Sequence, residues 1–352
     1  MKAFAIDLFC GVGGLTHGLI KAGIPVKSGF DIDDECKYAY ERNNKARFIN
    51  KDIKNISADE VEKLYPKKAV KILVGCAPCQ PFSTHTQKYK NRKNDGKWKL
   101  LYRFSRLINK IRPEIVSMEN VVQLSKHKVF EDFVACLEKQ GYKVSWKSVY
   151  CPDYGIPQNR RRLVLLASRL GEIEIIPPTH IPQEYKTVRD VIGKLHSIRH
   201  GKTYSKDPLH RAGALSPINL ERIRSSIPGG TWRDWVRKLR APCHRRKSGQ
   251  TYSTVYSRMR WDKPSPTITT QFYRFGTGRF GHPKQDRAIS LREGALLQTF
   301  PKSYDFIDPN GPKSLVKIGA HIGNAVPVKL GTIIGKSILK HLKGYYGEPI
   351  GT

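Results

Sequence analysis

Cys79 stands in the run Gly75-Cys-Ala-Pro-Cys-Gln-Pro-Phe-Ser83, directly after the apolar stretch of residues 70–76. A thiol at the end of a buried strand can act as a nucleophile if positive surroundings or backbone N–H groups favour its thiolate. With Cys76 it also forms a C-x-x-C, which reads alternatively as a zinc half-site, a redox dithiol or two structural thiols. Zinc needs a second Cys/His pair. Cys243-His244 is the near candidate, and adjacent residues chelate poorly. Glu119, in Met118-Glu-Asn-Val121, is a carboxylate at another strand end. It becomes a general acid if burial raises its proton affinity. In Gln158-Asn-Arg-Arg-Arg162, alternate residues of an extended segment share a face. Arg160 and Arg162 then offer paired guanidiniums to a phosphate or a base carbonyl, or simply form a solvated charge run.

A different chemistry is written at the N-terminus. Asp7-Leu-Phe-Cys-Gly-Val-Gly-Gly14 places glycines directly after an apolar run, where a backbone can approach a ligand closely. The spacing is not the dinucleotide G-x-G-x-x-G, because Thr16 sits where the third glycine belongs; this disfavours a nicotinamide-dependent oxidoreductase. Asp31 and Asp33 end a second apolar run and Asp52 a third. Acids at successive strand ends suit a nucleoside better than a polyphosphate, unless they only decorate a tight turn.

The elements that must position these residues alternate. Strand-like runs at 3–9, 25–33, 46–53, 70–76, 114–120, 143–150 and 162–168 are separated by helical patterns such as 102–111 and 129–141. That alternation predicts a parallel α/β sheet with its site outside the carboxyl ends of the strands. Residues 80–99 carry six basic side chains against the single acid Asp95, a long basic loop suited to closing over an anion. The Pro-rich stretch near residue 177 marks a boundary. Residues 180–286 hold 22 Lys and Arg against 7 Asp and Glu in a Gly-, Pro- and aromatic-rich texture, which reads as a smaller, loop-rich second domain. Helical character returns at 290–300 and 326–342.

Composition removes several classes. The 352 residues fit two domains at roughly 100–200 residues each. No apolar run reaches the ~18 residues of a membrane span, and no secretory signal is visible. Seven cysteines without framework spacing suit free thiols in a reducing compartment. A formal charge of +33 points to a polyanion, nucleic acid before an anionic membrane.

In this order, the motifs resemble the DNA (cytosine-5) methyltransferases, of the prokaryotic modification type. They are DLFCGVGG, FDID, KDI, PCQPFS, MENV and QNRRR, then RAISLREGALLQTFP (287–301) and IGNAVP (322–327). The resemblance spans nearly the whole chain. Two departures are Cys76-Ala77, where Gly/Phe-Pro is more usual, and Cys10, where Ala or Ser is common.

It implies a Rossmann-like S-adenosylmethionine-dependent sheet formed by residues 1–175 and 318–352, and a target-recognition domain over 176–317. It implies Cys79 as the nucleophile toward cytosine C6 and Glu119 at N3 and the exocyclic amine. Arg162 falls at the base carbonyl, with Arg160 in support. Phe9, Gly11, Gly13, Asp31, Ile32, Asp52, Ile53, Pro78, Leu100, Asn324 and Val326 fall on cofactor positions. Cofactor and product would be S-adenosylmethionine and S-adenosylhomocysteine, with no metal. The partner would be double-stranded DNA, with a cognate restriction endonuclease encoded separately, in a prokaryotic cytoplasm at the nucleoid. An enzyme of the same architecture acting on tRNA is the nearest rival. Candidate base readers lie in residues 230–240, 244–253 and 269–280.

Overall fold

The computed structural model describes residues 2–78, 99–311 and 313–347. The chain divides into two compact units, Met1–Tyr154 with Arg161–Thr179 and Val326–Thr352, and Gly155–Arg160 with His180–Ala325. The expected breaks were near 175 and 318. The first division falls at 179/180, and the later one at 325/326, which puts the helix before it in the second unit.

The first unit opens with β1 (Ala3–Leu8), α1 (Gly14–Ala22), β2 (Val26–Asp31), α2 (Lys37–Asn44) and β3 (Arg47–Asn50). It continues through α3 (Ala58–Glu62), β4 (Val70–Gly75), α4 (Lys99–Ile111), β5 (Ile115–Asn120), α5 (Lys128–Lys139) and β6 (Lys143–Tyr150). The two-residue β7 (Gln158–Asn159) belongs to the second unit, and β8 (Arg161–Ser168) completes the main sheet. The sheet order is β3-β2-β1-β4-β5-β8-β6. β1, β4 and β5 are near-continuous apolar runs because both faces are covered. α4 buries Leu100, Leu101, Phe104, Leu107, Ile108 and Ile111, a helical stripe against the core that also holds Phe130 and Phe133.

The sheet is not wholly parallel, as the alternation had suggested. β8 runs antiparallel to both β5 and β6, pairing Glu119 with Val164 and Tyr150 with Arg161. The physical reason is length: the return from Tyr150 to Arg161 is too short for the helical crossover a parallel neighbour needs. The strand order reverses between β1 and β4, so the β1 turn and the end of β4 flank a crevice.

The last helix, α11 (Val328–Tyr346), lies against α1 through small residues. A Cβ at Gly18 would come within 2.4 Å of the Val328 carbonyl and 2.6 Å of Gly331 Cα, so glycine is required there for the backbones to approach. No helix among the described residues is long and apolar enough to cross a membrane.

The second unit has little regular structure. It holds α6 (Val188–Ile192), β9 (Thr203–Tyr204), β10 (Asp207–Arg211), α7 (Pro217–Arg224), α8 (Pro242–Arg245), β11 (Ser265–Pro266), α9 (Leu291–Leu297) and α10 (Leu315–Asn324). A core of Ile223, Trp232, Trp235, Leu239, Phe275 and Ala288 holds part of it. Buried arginines do the work that ladders do elsewhere. The Arg258 guanidinium donates to the carbonyls of Ile223, Ser226, His282 and Gln285 and pairs with Asp286.

Candidate active site

The turn after β1 is left-handed at three positions, with φ of 63° at Phe9, 50° at Gly11 and 85° at Gly13. Gly13 is the N-cap of α1 and offers no side chain there, so the helix start is left open. Gly11 N–H donates to Asp31 Oδ2 at 2.8 Å, and Asp33 N–H to Oδ1 at 3.0 Å. These bonds fix the Asp31 carboxylate at the end of β2. Burial raises its proton affinity, opposed by the two N–H donors. Beside it Ile32 is 69% exposed, an apolar surface next to a held acid. Asn50 braces the segment by donating to the carbonyls of Asp31 and Ile32.

β3 ends at Asn50, two residues before Asp52. Asp52 instead caps a short turn by accepting from Lys54 N–H at 2.9 Å, and Ile53 is buried beneath it. Leu100 is buried at the start of α4, Pro78 is half-buried after β4, and Val326 is buried before α11. A carboxylate with an exposed isoleucine beside an open glycine turn fits a nucleoside: the acid suits ribose hydroxyls and the isoleucine a base face.

Beneath the turn lies Asp7, fully buried. Burial pushes its carboxyl up to about 7, against a 2.7 Å hydrogen bond from Thr16 Oγ1 to Oδ2. Thr16 Oγ1 also lies 3.2 Å from the Tyr40 hydroxyl, and Asp7 Oδ1 has no hydrogen-bond partner among the described residues. Thr16, which spoils the dinucleotide spacing, is thus the residue that holds this acid.

Glu119 projects from the wholly buried strand β5 and is 3% exposed. Arg162 Nε on β8 lies 3.1 Å from its Oε1, an ion pair without hydrogen-bond alignment. The Cys76 thiol donates to Oε2 at 2.7 Å. Asn120 donates to the Ala77 carbonyl at 3.0 Å and accepts from Val121 N–H at 2.8 Å, so it joins the loops after β4 and β5. Cys79 and the basic residues 80–98 lie outside the described residues.

Arg160 and Asn324 belong to the second unit. Burial along residues 158–162 alternates: Gln158 and Arg160 are buried, Asn159 and Arg161 exposed, Arg162 half-buried. Gln158 uses its whole amide within the second unit, donating to Leu297 O and Gln298 Oε1 and accepting from Ile268 N–H. Arg160 donates to Ile268 O at 3.2 Å. Asn324 is exposed at the end of α10.

The candidate base readers separate by what already holds them. Arg233, Arg240 and Arg245 donate to backbone carbonyls of Gln250, Trp235, Arg233, Arg240 and Lys238. Gln271, Arg274, Thr277 and Arg279 are exposed, on a segment whose Phe272, Tyr273 and Phe275 are buried anchors. Thr277 Oγ1 closes that segment on the carbonyls of Gln271 and Arg274.

Sequence reasoning missed one polar centre. Arg287 forms a bidentate pair with Glu293, both bonds 2.7 Å and both residues buried. Burial alone would raise Glu293; the Arg287 guanidinium overrides it and holds the acid at about 2. Glu293 also completes the Ser290 capping box of α9, and that S-x-x-E spacing was the available signal.

A family model described as C-5 cytosine-specific DNA methylase matches residues 4–340. The chain is 55% identical over 349 residues to the Type II methylase M.HgiDII of Herpetosiphon aurantiacus, with 98% of each covered. It is 32% identical over 352 residues to the Type II methyltransferase M.PspPI of a Psychrobacter strain, covering 96% of this chain and 79% of that one. A solved prophage-encoded E. coli protein, described as a DNA modification methyltransferase, matches with a TM-score of 0.72 at 21% identity, covering 99% and 100% of the two chains. A methyltransferase of Entamoeba histolytica gives 0.67 at 17%, covering 97% and 99%. At these identities the two structures speak to the fold alone.

Proposed function

Because this chain belongs to the C-5 cytosine-specific DNA methylase family, we propose that it methylates C5 of a cytosine within a short duplex DNA sequence, as the modification enzyme of a type II restriction-modification system. The observation that carries the reading is the buried Glu119 carboxylate, paired with Arg162, on the strand beside the one that leads into Pro78 and Cys79. The family model describes DNA methylases, and nothing in the chain favours tRNA over DNA.

Cytosine C5 is a poor nucleophile. The Cys79 thiolate forms a bond to C6, and electron density moves to C5. Glu119 donates a proton to N3 and accepts from the exocyclic amine, so the negative charge that the thiolate brings to the ring is neutralised as the adduct forms. Arg162 steadies the Glu119 carboxylate and faces the base carbonyl, with Arg160 in a supporting role. When bound, S-adenosylmethionine supplies an electrophilic methyl group. Loss of the C5 proton to water, return of the C6–S electron pair to sulfur and return of the N3 proton to Glu119 then restore the aromatic ring and free the Cys79 thiolate. Asp31 and Ile32 would hold the nucleoside of that cofactor. Phe9, Gly11 and Gly13 would keep the turn close to it, and by the family motifs Asp52, Ile53, Pro78, Leu100, Val326 and, from the second unit, Asn324 would contribute further contacts.

A base inside a duplex must be flipped out, at a cost of a few kcal/mol. The second unit reads neighbouring base pairs, with Gln271 and Arg274 suited to major-groove edges. Its excess of basic side chains binds phosphate, so affinity falls steeply with salt.

Duplex DNA carrying 5-fluorocytosine in the recognition site tests the chemistry. Fluorine at C5 cannot leave as the proton does, so with cofactor present a complex that survives denaturation is expected. It should be absent in Cys79→Ser. A wild-type enzyme that methylates ordinary DNA yet forms no such complex would refute the covalent route.

A further inference from the structure

Cys76 stands one residue past the end of β4, and Glu119 one residue before the end of β5. The two strands are parallel neighbours with Gly75 in register with Met118, so the next residue on each, Cys76 and Glu119, emerges side by side. Cys76 is itself fixed: its N–H donates to Leu8 O at 3.3 Å, and the following Ala77 carbonyl accepts from Asn120 Nδ2 at 3.0 Å. The thiol reaches Glu119 Oε2 at 2.7 Å, while Oε1 lies against the Arg162 guanidinium at 3.1 Å.

We propose that Cys76 is a positioning residue for the reaction, a thiol donor that holds the Glu119 carboxylate in the orientation from which it meets the cytosine ring. The inference rests on the reading of Glu119 given above. Arg162 approaches Oε1 without hydrogen-bond alignment, so it supplies charge without fixing the carboxylate plane. A carboxylate rotates about its last bond over a broad range. The Cys76 donor supplies the second fixed point and sets that plane. Each carboxylate oxygen has two lone pairs, so Oε2 can keep the thiol and still accept from an exocyclic amine. Cys76 forms no bond to the base and exchanges no electrons; Cys79 remains the nucleophile. Small preorganised donors of this kind matter because a misplaced catalytic group loses rate far more than binding.

The test compares three substitutions at position 76 in the full-length enzyme. Cys76→Ser keeps a donor, Cys76→Ala removes it, and Cys76→Val removes it while filling the space. Methyl transfer to duplex DNA is followed under both steady-state and single-turnover conditions, with thermal unfolding and cofactor titration as controls. The expected result is a fall in kcat on the order of tenfold for Ala and Val with KM for both substrates unchanged, and recovery to within about threefold for Ser. A role in packing alone would instead spare Val and penalise Ser, and that order overturns the proposal. Ala and Val turning over like the wild type also overturns it. Glu119→Gln is measured in parallel. If it turns over normally, the reading of Glu119 fails, and this inference with it. If it is inactive while the Cys76 substitutions are silent, only this inference fails.

Discussion

The two units each bury a carboxylate, and the two acids are driven in opposite directions. In the first unit, Asp7 meets a hydroxyl and, among the described residues, no cation, so burial pushes it up to about 7. In the second, Glu293 meets the two-pronged Arg287 guanidinium and is held at about 2. The difference reflects how each unit is built. The first has a seven-stranded sheet whose ladders fix its backbone, so polar groups at strand ends are free for chemistry. The second has strands of two to five residues and mostly short helices, and its buried charges serve as struts between loops.

The largest expected effect is on the second unit. Arg287→Met leaves Glu293 buried without its partner, and should destabilise the protein by about 3–5 kcal/mol in denaturant unfolding. Arg287→Met combined with Glu293→Leu should recover most of that loss. A single substitution that costs nothing would show that the pair is not a strut.

Asp7 sharpens the contrast through pH. Its folded value, about 7, lies above the usual 3.8, so the folded state holds the proton more tightly. Its contribution is therefore fully present below pH ~4 and is lost as pH rises toward 7, a change of a few kcal/mol. Glu293 has the reverse sign: its contribution is present above about 4.5 and lost as pH falls toward 2. Asp7→Asn should flatten the stability profile between pH 4 and 7 and leave the acid limb below pH 4 in place. An unchanged slope over the upper range would contradict this account of Asp7.

The smallest of the three concerns binding. Asp31→Ala should weaken cofactor affinity by roughly tenfold to a hundredfold, the loss of a charged hydrogen-bonding partner, and leave DNA affinity intact. An unchanged cofactor titration would remove Asp31 from the nucleoside site.

The contrast also explains what the sequence made legible. The strands of the first unit announced themselves as apolar runs, and the motifs sit at their ends because chemistry in this architecture collects there. The reversal of β8 was not readable, since an apolar run of that length looks the same in either direction. Nor was the end of β3 short of Asp52, because the cap that Asp52 forms depends on one N–H two residues on. The second unit was legible only as basic and loop-rich. Which arginines face outward is decided by carbonyls far along the chain, as when Arg258 reaches from Ile223 to Gln285. Cys76 appeared as half of a C-x-x-C; its contact with Glu119, 43 residues away, needed the register of β4 against β5.

Bisulfite sequencing of plasmid DNA from cells expressing the wild-type chain, beside Cys79→Ser, tests the central claim most directly. The account predicts protected cytosines in one recurring short context with the wild type and none with the variant. Protection that persists in Cys79→Ser, or none in either from well-folded protein, would contradict it.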